Sequence, residues 1–388
     1  MGKLLASERN VTRPLPPIFA RVMDFIGAPQ PASFMELALE VFRYQFAHVP
    51  VYRAFCLSRG ADPSTVEGFA AIPFASTLAF KHAEVINDEA LAPSSQLIFK
   101  TSGTTKGFGG RGIHRIPYGE IYRASAVAHL RRMFFPEGRR MPILALHPTA
   151  DRMPESSLSW MLSWCIEEFG NAASACVATP QALDSEPALA FLRSAERRGE
   201  AAGLLGTTAA FARIFDSLDK NPVRLPAGSR LMDTGGAKGQ RVPLKDYEVR
   251  DLAWSRLGIE PAYAINEYGM TELCSQLYDA APFNGPADEQ GGRLKLPPPW
   301  MMPVALDAVT LRHLPDRQIG LMSFFDLANV GSVAAIMTED FGYTYNGGVV
   351  ILGRAAASDA RGCALGIEKF AADAIRSTGS KARVEGQG

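Results

Sequence analysis

Residues 141–170 read MPILALHPTADRMPESSLSWMLSWCIEEFG. The first part, 143–146, is a short apolar run with strand character. From Ser156 to Phe169 the period changes. Leu158, Met161, Leu162, Cys165, Ile166 and Phe169 fall at i, i+3, i+4, i+7, i+8 and i+11, one face of a helix, and Gly170 follows as a stop. A strand, a polar loop and an amphipathic helix in that order make one βα unit. Outward from it the same alternation recurs. Short apolar runs at 97–99, 176–178, 203–205, 231–232 and 262–265 are separated by helix-length segments. Such alternation predicts a largely parallel sheet covered by helices.

The flanks read differently. Residues 1–95 look mainly helical: Ser33 with Glu36 forms a capping-box pattern before FMELALEVFRYQF, and the stretch from His48 to Tyr52, HVPVY, breaks it. After 283, LKLPPPWMMP precedes β-like runs at 304–306, 321–325, 333–337 and 349–352, read as a small β subdomain. The expected division is thus a helical part over 1–95, an α/β core over 96–283, the β subdomain over 284–354 and a short tail over 355–388.

Composition narrows the function. In 388 residues, 40 Lys+Arg balance 40 Asp+Glu, so no global charge recruits nucleic acid or an anionic membrane. No apolar run approaches the ~20 residues of a membrane helix, and the N-terminus has no long apolar core, so no membrane span or secretory signal is expected. Five cysteines without CxxC spacing read as reduced thiols in a cytoplasmic protein, not as a disulfide framework or zinc site.

Four constellations carry chemistry. The first, from Phe99 to Arg111, reads FKTSGTTKGFGGR, with Ser102, Thr104, Thr105 and Lys106 as donors and charge for a phosphate cradle. It lacks GxxxxGK[ST] and so is not a P-loop; on composition alone a plain Gly/Ser/Thr surface loop fits equally well. The second, from Ile265 to Glu272, reads INEYGMTE and follows a strand-like run, where open parallel sheets place ligands. Its carboxylate and hydroxyl suit Mg²⁺ and phosphate oxygens, though an ordinary strand-to-helix turn is the simpler reading. The third is TEDFG, residues 338–342, with Gly353-Arg354; Asp340 suits a ribose diol or simply opens a hairpin turn. The fourth is Arg361-Gly362-Cys363, a thiol beside a cation that suits a nucleophile, against the usual reading of a free cysteine as a small buried hydrophobe.

TSGTT, YGMTE, TEDFG and GR in this order form the motif series of the adenylate-forming superfamily of acyl/aryl ligases. The segments NEYGMTELCSQLYD, FFDLANVGSVAAIMTEDFG and LGRAAASDARGCAL resemble the acyl-protein synthetase family of the LuxE type, over about residues 45–368. The resemblance implies an α/β fold: the large N-terminal adenylating domain with mostly parallel, helix-covered sheets and a small β subdomain. The full C-terminal domain of the wider superfamily is expected to be absent, since 34 residues follow Arg354.

By the same resemblance, Thr101, Ser102, Gly103, Thr104, Thr105 and Lys106 hold ATP phosphates. Gly235, Gly236 and Lys238 line the adenine and acyl pocket. Within Glu267, Tyr268, Gly269, Met270, Thr271 and Glu272, the tyrosine stacks near adenine, the threonine contacts the α-phosphate and Glu272 holds Mg²⁺. Asp340 meets the ribose, Arg354 reaches the nucleotide, and Cys363 takes the acyl group as a thioester. Lys238, Lys369 or Lys106 would supply the lysine of the missing domain. His114 matches a family position and is read as a structural histidine.

The expected activity is ATP-dependent conversion of a carboxylic acid, fatty or aryl, to an acyl-adenylate. Transfer follows to Cys363 and then to an acyl-accepting protein (a reductase or carrier protein), a phosphopantetheine thiol or CoA. Two alternatives stay open: a CoA ligase with a structural Cys363, and a non-catalytic nucleotide-binding scaffold of an acyl reductase.

Overall fold

The computed structural model describes residues 14–87, 96–101, 110–235, 244, 246–280 and 293–354. Its N-terminal part is helical, with α1 (Pro17–Gly27), α2 (Phe34–His48) and α3 (Pro50–Ser58). The predicted capping box does not form. Ser33 closes a 3₁₀ turn, Pro31–Ser33, takes near-helical torsions (φ −91°, ψ −5°) and makes no side-chain cap, because the preceding turn already feeds the chain into α2. The break at HVPVY is one extended residue, Val49. Pro50 then opens α3 at a position whose missing N–H needs no partner.

After the short β1 (Ala75–Ser76) and α4 (Ala79–His82) comes a separate hairpin, β2 (Leu97–Lys100) with β3 (Ile113–Ile116), and then α5 (Gly119–Met133). The alternation read from the sequence follows: β4 (Ile143–Ala145), α6 (Ser157–Phe169), β5 (Ala175–Cys176), α7 (Ser185–Arg198), β6 (Gly203–Thr207), α8 (Thr208–Ser217), β7 (Arg230–Thr234), α9 (Asp246–Leu252) and β8 (Ala264–Tyr268). These strands pair in parallel in the order β5-β4-β6-β7-β8. Ser156 caps α6, its hydroxyl accepting the Ser159 N–H at 3.3 Å.

Strand pleating sends neighbouring residues to opposite faces. Leu205, Met232 and Ile265 join the cluster containing Leu130 of α5 and Met161, Leu162 and Cys165 of α6. Leu204, Leu231 and Ala264 join Leu192 of α7, Phe211 of α8 and Val249 of α9. The doubly covered parallel sheet is therefore built as its near-continuous apolar strands require.

The sheet does not end at β8. β9 (Leu277–Asp279) pairs antiparallel with it, and β10 (Leu294–Leu296), β14 (Gly348–Arg354), β13 (Ala335–Tyr345), β12 (Gly320–Asp326) and β11 (Met301–Leu306) follow in that spatial order. The β-rich run after residue 293 thus continues the same sheet. Asp340 lies inside β13, paired with Arg354 of β14, and not at a hairpin turn. The turn is further on, at Asn346 and Gly347, both with positive φ. Between β12 and β13, Gly331 lies so close to Pro117 that a Cβ would stand 2.6 Å from two ring carbons. Only glycine lets that loop lie against the segment joining β3 to α5.

Candidate active site

The carboxyl ends of β6, β7 and β8 are in register, Thr207 beside Thr234 beside Glu267, with Tyr278 of antiparallel β9 completing the row. Thr234 donates its hydroxyl to Glu267 Oε2. Glu267 is buried, and desolvation outweighs that donor and the charge of Lys295, lifting its carboxyl to about 7.

A second polar row fastens the strand ends. The Thr208 hydroxyl donates to Asp233 Oδ2 at 2.6 Å and lies 2.8 Å from the Gly235 carbonyl, while Asn266 Nδ2 donates to Asp233 at 3.1 Å. Lys295 Nζ donates to Asn266 Oδ1 at 2.7 Å and to Asp279 Oδ1 at 3.0 Å, and Arg293 pairs with Asp279 at 2.5 Å. Each buried charge in this row is met by an opposite charge or a dipole, which a buried ionic group requires.

Beyond β8 the chain turns through Gly269, Met270, Thr271 and Glu272, and the turn is held from outside. His114 Nδ1–H donates to the Thr271 carbonyl at 2.8 Å, and Nε2 lies 2.8 Å from Ser332 Oγ. A carbonyl only accepts, so Nδ1 carries the proton and Nε2 receives the serine hydroxyl. Burial lowers the imidazole to about 4, so it is neutral near pH 7. His114 is therefore a positioning residue, as its structural reading anticipated. Asn329 Nδ2 donates to the Glu272 carbonyl at 2.8 Å. Asp326 accepts from the Cys274 N–H at 3.0 Å, the Ser275 hydroxyl at 2.7 Å and the Ala328 N–H at 3.0 Å.

Glu272 itself is buried, with its carboxyl raised above the ordinary range by desolvation. Lys81 and Arg354 act on it only through space, and among the described residues no cation lies within 4 Å of it. Tyr268 turns the other way from Glu267: its hydroxyl donates to Asp340 Oδ2 at 2.7 Å, and Arg354 Nε donates to Asp340 Oδ1 at 3.3 Å. Register explains the pairing of Asp340 with Arg354, and the Tyr268 ring packs on Phe324 at 5.8 Å.

Of the loop after β2, the stem is visible. Thr101 and Gly112 close it, with the Thr101 N–H donating to the Gly112 carbonyl at 2.9 Å and Thr101 Oγ1 accepting the Gly112 N–H at 2.8 Å. Glu155 bridges Lys100 and Arg111 and so ties this stem to the loop that precedes α6. Ser102, Gly103, Thr104, Thr105, Lys106, Gly236, Lys238, Lys369 and Cys363 lie outside the described residues.

The tertiary structure thus brings Thr101, Gly235, Thr271, Glu272, Tyr268, Asp340 and Arg354 onto described elements, and joins the last three directly. It adds Asp326, Asn329, Ser332, Thr234 and Lys295, which sequence reading missed. DLANVGS, residues 326–332, stands out as a segment, but nothing in a linear sequence says that its Asp and Asn hold a turn some fifty residues earlier.

Gly269 shows how tight the turn is. A Cβ there would overlap Glu267 Oε1 and stand 3.5 Å from Gln276 Cγ. Gly269→Ala must therefore displace Glu267 Oε1, on the carboxyl whose other oxygen accepts from Thr234. We expect a loss of tenfold or more in ATP–pyrophosphate exchange, roughly 1.4 kcal/mol in the barrier, read beside a thermal melt; exchange at the wild-type rate would mean that the turn tolerates the methyl.

This fold is that of the adenylate-forming ligases. 2-Hydroxyisobutyryl-CoA ligase, in complex with 2-HIB-AMP and CoA in the thioesterification state, superposes with a TM-score of 0.59 at 17% identity, over 88% of this chain and 72% of that one. The same ligase in its postadenylation state gives 0.57 at 14% identity with the same coverage. A search of curated proteins gave no match. The profile of the acyl-protein synthetase family, LuxE, matches residues 20–371, and the chain belongs to that family.

Proposed function

We propose that this protein activates a carboxylic acid with ATP and passes the acyl group to a thiol. The observation that supports this best is the turn carrying Thr271 and Glu272. It stands beside the Tyr268–Asp340–Arg354 set at the carboxyl ends of parallel strands, where open α/β sheets hold nucleotides. In the first step a carboxylate oxygen attacks the α-phosphorus of ATP and pyrophosphate leaves. The Thr271 hydroxyl is suited to an α-phosphate oxygen, Asp340 to the ribose diol and the Tyr268 ring to the adenine. Ser102, Thr104, Thr105 and Lys106 would meet the leaving phosphates, and Lys238 the developing charge.

Glu272 fits a magnesium ligand. Its buried carboxylate lacks a close cation, and among the described residues no group of three or more His, Cys, Asp or Glu side chains is placed to hold a metal. A single protein carboxylate is what Mg²⁺ takes when water and phosphate supply its other ligands, and its charge would offset that of the phosphates. In the second step the Cys363 thiolate attacks the carbonyl of the mixed anhydride, forming the thioester and releasing AMP. An acyl-accepting protein, a phosphopantetheine thiol or CoA would receive the acyl group next.

The structurally similar ligase has been seen with CoA and an acyl-adenylate together, which favours the second reading, direct transfer to CoA. ATP–pyrophosphate exchange with pooled fatty and aryl acids tests adenylation. Cys363→Ser should keep exchange and lose acid-stable, hydroxylamine-labile labelling of the protein. Labelling that persists in Cys363→Ser removes the cysteine from the mechanism, and CoA-thioester formation that persists in Cys363→Ala establishes the second reading. No exchange in folded, ATP-binding protein would leave a nucleotide-binding scaffold.

A further inference from the structure

The buried face of α2 holds one misfit. Phe34, Leu37, Ala38, Val41 and Phe42 stand at i, i+3, i+4, i+7 and i+8 and are buried, and the next position of that face, i+11, is Gln45, which is 0% exposed. A buried amide costs stability unless its hydrogen bonds are made. Those of Gln45 are made, and all to one segment. Nε2 donates to the Asn329 carbonyl at 2.9 Å and to the Val330 carbonyl at 3.2 Å, and Oε1 accepts the Ala334 N–H at 3.0 Å. A carbonyl only accepts and a backbone N–H only donates, so these partners fix which end of the amide is which.

The segment so clamped, residues 327–334, joins β12 to β13. It is buried throughout and lies outside any strand, so partners must be brought to its backbone. From the same segment come the restraints on the turn after β8. Asn329 Nδ2 donates to the Glu272 carbonyl at 2.8 Å, and Ser332 meets His114, which donates to the Thr271 carbonyl. Asp326, one residue before the segment, receives the Cys274 N–H and the Ser275 hydroxyl. Asn329 therefore takes Gln45 on its carbonyl and gives its side-chain amide to Glu272. One residue and two hydrogen bonds separate α2 from the backbone of Glu272. An apolar side chain of the same size at position 45 would fill the space but leave two carbonyls and an N–H without this partner.

Resting on the adenylation reading above, we infer that Gln45 is a positioning residue for acyl-adenylate formation: through residues 327–334 it sets the place of Thr271 and Glu272, and so couples the N-terminal helices to the reaction. It acts through other residues and not on the reacting atoms. Tyr268, Asp340 and Arg354 are bonded to one another and not to Gln45, so recognition of ATP should survive its loss while the turn is misplaced. A misplacement of about 1 Å, caused far from the chemistry, costs on the order of 100-fold in rate.

The test compares wild type with Gln45→Leu and with Gln45→Met, whose unbranched shape matches glutamine and keeps the test open where leucine does not fold. Leu192→Ala, a cavity in the cluster on the other face of the sheet, controls for lost stability alone. ATP–pyrophosphate exchange is measured with pooled fatty and aryl acids, well below each melting temperature and per ATP-binding site. The Gln45 variants should lose about 10–100-fold in kcat, with KM for ATP changing less than about threefold. Hydrogen–deuterium exchange, which needs no activity, should quicken about tenfold or more over residues 270–276 and stay at the wild-type rate over 203–207 in β6. Leu192→Ala should show neither change. A wild-type kcat in the Gln45 variants, unchanged protection of 270–276, or an equal loss of kcat in Leu192→Ala overturns the inference and leaves adenylation standing. No pyrophosphate exchange in wild type with any acid overturns the adenylation reading, and the inference with it.

Discussion

Asp326→Ala will lower the free energy of unfolding by about 3–5 kcal/mol, because it strands buried donors whose lost partners cost roughly 1–3 kcal/mol each. The carboxylate is 0% exposed and receives the Cys274 N–H, the Ser275 hydroxyl and the Ala328 N–H. Urea denaturation should show the midpoint fall at constant slope. Exchange activity should fall with it, since Cys274 and Ser275 immediately follow the Thr271–Glu272 turn. A loss below about 1 kcal/mol, the worth of one ordinary hydrogen bond, would mean that the three donors find other partners.

The same group gives a pH signature. Burial outweighs its donors and lifts the carboxyl from the ordinary 3.8 to about 7. Between those values the folded chain binds more protons than the unfolded one, so this contribution to stability falls as pH rises from 4 to 7. Asp326→Asn carries no such titration, so the stability of wild type relative to this variant should fall by up to ~4 kcal/mol over that window. His114, His129 and His147, lowered to about 4, 3 and 4 by burial, act in the opposite direction, but they do so in both proteins and cancel in the difference. A difference that stays flat, or grows with pH, would show Asp326 ionised throughout.

Glu272→Gln should reduce adenylation by about 10²–10³ with little change in melting temperature, the scale seen when one preorganised charge-stabilising group is removed. The substitution keeps the shape of the side chain and its backbone bond to Asn329, and it removes a buried carboxylate that no cation among the described residues meets within 4 Å. Removing an underpaired buried charge should not destabilise the fold, which separates a functional from a structural role. The readout is exchange against magnesium concentration. An unchanged rate and magnesium dependence would take Glu272 out of metal binding.

The candidate site was legible wherever function rests on local order. Tyr268, Thr271 and Glu272 stand within five residues, and the turn after β8 keeps them together, so a motif finds them. Asp340 and Arg354 were legible as residues but not as partners. Their pairing comes from the register of β13 with β14, and Tyr268 of β8 reaches Asp340 across 72 residues of chain, both non-local facts. Ser33 failed as a cap for a related reason: the pattern was right, but a 3₁₀ turn before it had already set the backbone. Glu267 and Tyr268, adjacent in one motif, serve opposite faces because a strand alternates.

The sequence by itself determined the family and the βα alternation, because apolar period and glycine punctuation are local properties of the chain. It also determined the candidate nucleotide residues, since those sit in short contiguous motifs. Only the tertiary structure decided that β9 to β14 extend the parallel strands into one sheet, since strand order depends on pairing across long separations. It alone showed that His114, Asp326 and Asn329 hold the Thr271–Glu272 turn and the residues after it. Those contacts join residues far apart in the chain, and burial, which lowers His114 and raises Asp326, exists only once the chain has folded.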